Sequence, residues 1–251
     1  MEAAMPHMKE SLSLTLSQFM TSAQENILVR RHGRQNEEEG GHRDDKNSIY
    51  RLFEAQLTHR LVECNVKVET ARLDVIFSLK RFYSQSGRLC RIHYLTEDAF
   101  EIRTKEPKQY EILLIQIAGW MAAKHFSSPP QGVRLVYHVH NNDPIAPAAL
   151  HTWVNDMPLA PAHIIESHVA RRIEKLADAI ILPDESLPLC TLNERHGTDH
   201  RPFKKCGDYC RAREHCKQFA GSKTEGDGGT VEGMESMFEF SGLPGAGGDL
   251  V

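Results

Sequence analysis

No apolar run in this 251-residue chain approaches the roughly 20 residues needed to cross a bilayer, so no membrane partner is expected. The opening residues, MEAAMPHMKESLSLTL, lack a charged start followed by an apolar stretch; they do not read as an export leader, and a cytoplasmic protein is expected. An excess of basic charge is missing too. Thirty Lys and Arg stand against 34 Asp and Glu, a net charge of -4, which argues against a uniformly basic nucleic-acid binder but leaves local patches open. The regular C-x2-C pairs of zinc ribbons are also absent, although the chain has 6 cysteines. With no export signal and four of them gathered near one end, a metal site is a better reading than disulfides.

What is present is enough for one sizeable core: 40% of the residues are hydrophobic and 25% charged. Four stretches are expected along the chain. Residues 1–47 read as an N-terminal helix and a mobile charged loop, GRQNEEEGGHRDDKN. Residues 48–185 carry the core and 186–220 the cysteine segment, while 221–251 form a Gly-rich acidic tail expected to be disordered.

Within the core, SIYRLFEAQLTHRLVEC has helical apolar spacing, and VKVETARLDVIFSLKRF and RLCRIHYLTEDAFEIRT read as strands joined by the YSQSGR turn. YEILLIQIAGWMAAKHF then predicts an apolar helix halted at SSPPQG, VRLVYHVH a buried strand, and PAHIIESHVARRIEKLADAII a helix with Pro161 in its first turn. The fold class that follows is α/β, a central mixed sheet flanked by helices, with a C-terminal four-cysteine metal segment.

Two carboxylates lie in stretches that read as strand, Asp74 in RLDVIF and Glu101 in FEIRT. Strand interiors disfavour acids. Carboxylates from adjacent strands can share Mg²⁺ or Mn²⁺, which activates water and stabilises a phosphoryl transition state; the plainer alternative is that Glu101 faces solvent on an edge strand. His59, one turn from Glu63, offers an imidazole that favours Mn²⁺. Gln116 falls on an apolar helix face together with Trp120, where its amide needs a hydrogen-bond partner or a ligand.

The order AQLTHRLVE, RLDVIF, FEIRT, IQIAGW, then the cysteine cluster, resembles the PD-(D/E)XK nucleases of the RecB-like branch. Within it the likeness is to CRISPR-associated and phage-encoded exonucleases that carry a four-cysteine iron–sulfur cluster. It spans roughly Leu12 to Phe219. The resemblance implies a restriction-endonuclease-like core in which His59, Asp74 and Glu101 hold the cation and Gln116 steadies the site. Three positions depart from the pattern: Ala55 replaces a glycine, Trp120 a tyrosine, and Arg103 the lysine two residues after the acid. Arginine keeps the charge but not the easy proton exchange. Lys105 shares Arg103's strand parity and is the substitute candidate.

Cys190, Cys206, Cys210 and Cys216 follow the spacing C-x15-C-x3-C-x5-C. That spacing alone suits structural Zn²⁺ or a [4Fe–4S] cluster, and His196, His200 and His215 keep a mixed zinc site open. The resemblance implies iron–sulfur, clipping the C-terminal segment to the core. Lys204, Lys205, Arg211, Arg213 and Lys217 beside the thiols offer phosphate contacts. Cys64 and Cys90 read as ordinary packed residues. The function expected is a Mg²⁺- or Mn²⁺-dependent DNA nuclease, an exonuclease in preference to an endonuclease, acting on DNA that is single-stranded or has free ends. Its protein partners would belong to recombination, phage replication or CRISPR adaptation. A catalytically impaired DNA-binding adaptor of the same fold, or a zinc-stabilised interaction protein, is the alternative.

Overall fold

The computed structural model describes residues 10–32, 60–102, 107–143, 146, 148–191, 210 and 212–224. Among these, β1 (Glu10–Thr15) leads into α1 (Leu16–Phe19) and α2 (Ala23–His32). Next come β2 (Arg60–Glu69), β3 (Leu73–Gln85), β4 (Arg88–Thr96) and α3 (Glu97–Ile102). Helix α4 (Gln109–His125), β5 (Gly132–His140), β6 (Ala149–Met157), α5 (Ala162–Ile180) and α6 (Lys217–Thr224) complete the order.

The strands make one mixed six-stranded sheet, with the path β1-β3-β4-β5-β6 and β2 on β3. Strands β2, β3 and β4 run antiparallel in succession, and α4 then carries the chain to β5, parallel to β4. The β3–β4 turn uses Ser86 and Gly87 at φ 50° and 72°, the left-handed pair that suits a two-residue hairpin. Pairing between β3 and β4 is confined to Tyr83–Gln85. Where β4 has left, β1 takes the same edge of β3, parallel, from Leu73 to Ser78, and β2 holds the opposite edge.

Alternation decides the faces. Leu73, Val75, Phe77 and Leu79 on β3 are all at most 1% exposed, whereas Asp74, Ile76 and Ser78 are half-buried on the opposite face. Helix α4 packs on β4 and β5. It comes so close at Gly119 that a Cβ there would sit 2.7 Å from Val133 and 2.6 Å from Leu159.

The described residues fall into two compact units, dividing within α1 after Ser17 and within α5 after Ala170. The first holds the sheet, α3, α4 and the start of α5. The second holds α2, the rest of α5 and α6. Its core gathers Ile27, Leu28, Ala179, Leu187, Ala212 and Cys216. Arg172 donates to the Phe19 and Thr21 carbonyls, and Arg31 and His32 converge on the Asp184 carboxylate.

Several expectations need correction. The helix expected to reach Cys64 falls outside the described residues up to position 59, and from Arg60 the chain is strand. There the alternating Val62, Cys64, Val66 and Val68 outweighs the helical spacing. The single strand expected over 66–82 is two, broken at Thr70, whose hydroxyl accepts from the Leu73 and Arg72 backbone N–H groups. The N-terminal helix is preceded by β1, where Leu12 and Leu14 are buried with exposed or half-buried neighbours. Strand β6 was not foreseen. It is an edge strand whose side chains are mostly exposed, so its apolar alternation is weak.

The strand expected to run through Glu101 ends at Thr96. The Thr96 hydroxyl caps α3 by accepting from the Ala99 N–H at 3.3 Å, and Glu97 and Asp98 occupy the first turn. Phe100 then packs edge-on against His151 and Trp153, which turns Glu101 outward. Helices α4 and α5 and strand β5 lie within a residue or two of their expected bounds.

Candidate functional site

Asp74 sits near the start of β3, between β1 and β2, with Ser11 and Glu69 as its register partners. Its side chain is 15% exposed. Lys67 and Glu69, two apart on β2, project from the same face as Asp74, because paired residues of adjacent strands share a face. The Lys67 ammonium donates to Asp74 Oδ2 at 2.9 Å and to Glu69 Oε1 at 2.6 Å. Those two carboxylates, Glu69 first, raise the Lys67 pKa above its ordinary value, so the amine is a cation at neutral pH.

Lys67 and Glu69 also line an open groove of about 470 Å³ along β2, shared with Thr70, Trp120, Lys124 and Glu166. On its far side Lys124 lies 4.4 Å above the Trp120 ring and 2.7 Å from Glu166. The Trp120 indole N–H donates to the same carboxylate at 3.3 Å. The groove thus combines two ammonium groups with an aromatic wall.

The other residues singled out from the sequence are placed as follows. Glu101 is exposed on α3, off the sheet, so the pair of carboxylates on adjacent strands is not Asp74 with Glu101. The acid registered against Asp74 is Glu69, hidden in the sequence because a Lys-x-Glu run at a strand end reads as solvated surface. Gln116 is 1% exposed. Its amide donates to the Pro158 carbonyl at 2.9 Å and accepts from the Ala160 N–H at 2.8 Å, so both ends anchor the segment after β6. His59, Arg103 and Lys105 lie outside the described residues, as do Cys206, Lys204, Lys205 and Arg211. Arg213 and Lys217 are exposed in the second unit.

Three of the four clustered cysteines are described, and all belong to the second unit. Cys216 is 6% exposed, and Cys210 packs against the same apolar cluster. The Cys190 backbone is tied to Gln218, two residues past Cys216, by bonds of 3.0 and 3.2 Å. Its thiol lies 3.0 Å from Ser22 Oγ and 3.1 Å from Gln24 Oε1 at the start of α2. Among the described residues no group of three or more His, Cys, Asp or Glu is arranged to hold a metal ion. Cys90 is fully buried, and desolvation pushes its thiol up to about 11.

Among the described residues no helix is long and apolar enough to cross a membrane. No family model matches the chain, and no curated protein does. Among solved structures it is similar to the protein SSO0001, at 14% identity and a TM-score of 0.47, over 84% of this chain and 89% of that one. It is also similar to an alkaline exonuclease (LHK-Exo) from Laribacter hongkongensis, at 15% identity and a TM-score of 0.42, over 67% of this chain and 89% of that one.

Proposed function

We propose that the chain is a divalent-metal-dependent nuclease that hydrolyses phosphodiester bonds of DNA, acting from free ends. The observation that carries this reading is the placement of Asp74: a largely buried carboxylate on an inner strand, registered against a second acid and in contact with an ammonium. Hard oxygen donors of this kind suit Mg²⁺ or Mn²⁺, and Asp74 and Glu69 would hold the cation. When bound, it supplies Lewis-acid stabilisation of phosphoryl charge and a more acidic water. The chain's own part is to fix those carboxylates on paired strands and to guide a backbone along the groove of Lys67, Lys124 and Trp120. Ammonium groups there meet phosphates, and an indole offers a face for a base. The test is cleavage of end-labelled single- and double-stranded DNA with Mn²⁺ and with Mg²⁺. Release of mononucleotides or short oligonucleotides from one end supports the reading, and intact DNA under every condition overturns it.

For the cysteines, the same reading assigns a [4Fe–4S] cluster to Cys190, Cys206, Cys210 and Cys216, stabilising the second unit. What supports it is the placement of Cys210 and Cys216 in one apolar cluster, with the Cys190 backbone tied to Gln218, two residues past Cys216. Thiolate-bound iron absorbs visible light and zinc does not. Brown protein with bound iron after anaerobic purification is therefore the expected result, and stoichiometric zinc without iron after iron-replete growth returns the site to Zn²⁺.

A further inference from the structure

We infer that Lys67 is the cationic residue that faces the scissile phosphate; the inference rests on the nuclease reading of Asp74. Arg103 is the motif position two residues after Glu101 and Lys105 its equal in strand parity; both lie outside the described residues, while the chain leaves the sheet at Thr96 and Glu101 lies on an exposed helix. On β2 the structure offers the same elements in reverse order, Lys67-Val68-Glu69, with one residue between ammonium and carboxylate.

Lys67 is held from two sides. Glu69 and Asp74 each accept one of its hydrogens, at 2.6 and 2.9 Å. Two anchors fix a side chain that otherwise samples many rotamers, and a pre-placed charge is what transition-state stabilisation requires. Position supplies the second argument. Lys67 touches Asp74 and, with Thr70, Trp120 and Lys124, lines the groove along β2, whose lining does not include Asp74, so its ammonium links the carboxylate to that groove. A phosphate lying there meets Lys67 before it meets Asp74. An ion pair present only for stability, with Lys67 49% exposed, would contribute almost nothing measurable.

The test compares wild type, Lys67→Ala, Lys67→Arg, Arg103→Ala, Lys105→Ala and Asp74→Ala in Mn²⁺-dependent cleavage of end-labelled DNA. Alongside it, Mn²⁺ binding is followed by electron paramagnetic resonance and DNA binding by fluorescence anisotropy with Ca²⁺ in place of Mn²⁺. Lys67→Ala is expected to lose cleavage by at least about 100-fold, the scale of one lost oriented charge or donor. Its Mn²⁺ affinity should be kept or raised, because the ammonium no longer competes for Asp74, and DNA affinity should fall by less than about tenfold. Lys67→Arg should recover part of the activity, since charge persists. Thermal melting of Lys67→Ala within a few degrees of wild type shows that the fold is intact.

If Lys67→Ala cleaves at the wild-type rate while Asp74→Ala is dead, the inference is overturned and the nuclease reading stands. A collapse confined to Arg103→Ala or Lys105→Ala overturns it in favour of that residue. A wild type that cleaves no DNA with any metal overturns both.

Discussion

Tyr137 on β5 donates its phenolic hydrogen to the Glu111 carboxylate at 2.8 Å, and both side chains are 1% exposed. Glu111 also accepts the Lys108 N–H at 3.1 Å, closing the first turn of α4, while His93 approaches from β4 at 3.9 Å and stacks on Tyr137. One buried carboxylate thereby joins β4, α4 and β5, the crossover that sets the parallel pair. Tyr137→Phe leaves the shape and removes a donor from a buried charge, so it should destabilise by about 1–3 kcal/mol. Urea unfolding measures this; an unchanged midpoint would show that water or another donor replaces the hydroxyl.

The acid limb of stability should follow the paired carboxylates. The Arg134 guanidinium holds Asp156 below the usual carboxylate range, the Arg31 guanidinium with His32 does the same for Asp184, and Lys124 with the Trp120 N–H lowers Glu166. A depressed folded-state pKa contributes stability that is fully present above the unfolded value, near 4. That contribution is lost as pH falls through the folded value. Unfolding midpoints should therefore drop below about pH 4, and more gently in Asp156→Asn, whose partner contact is already weakened. Because these groups are partly exposed, added salt should shrink the difference.

Cys90 should be chemically silent. Burial raises its thiol to about 11, so the thiolate needed for reaction is scarce at pH 8. Titration with a chromogenic disulfide should give the same count of reactive thiols in folded wild type and folded Cys90→Ser, and a smaller count for the variant after denaturation. Rapid labelling of Cys90 in the folded protein would contradict its place in the core.

How far the sequence speaks depends on the element. The apolar faces of α4 and α5 and the near-continuous apolar run of β5 are strong signals, and the structure keeps them. The Ser-Leu alternation before Leu16 is a period-2 signal of equal clarity, obscured only by its shortness. At LTEDAFEI the strand expectation fails because Thr96 and the two acids behind it spell out a helix start locally, which outweighs the apolar content. Asp74 was legible as an acid in a strand of apolar neighbours. Glu69 and Lys67 were not, because their nearness to Asp74 comes from the β2–β3 register, and register is a relation between strands that neither strand's residues declare.

The same register makes a prediction about acids. Glu69→Gln should weaken Mn²⁺ binding about tenfold or more, as loss of a charged oxygen donor, whereas Glu101→Gln, exposed on α3, should change it less than threefold, within the scale of surface substitutions. Calorimetric titration with Mn²⁺ checks the pair, and the reverse order would return the second carboxylate to Glu101.

The most direct measurement of the central claim is Mn²⁺-dependent cleavage of linear DNA by wild type and Asp74→Asn at equal concentration. The account predicts cleavage by wild type and, in the variant, a loss of at least about 100-fold with DNA binding retained, since a carboxylate recruits the cation but repels phosphate. Equal cleavage by the two proteins would place the chemistry away from Asp74 and contradict the account.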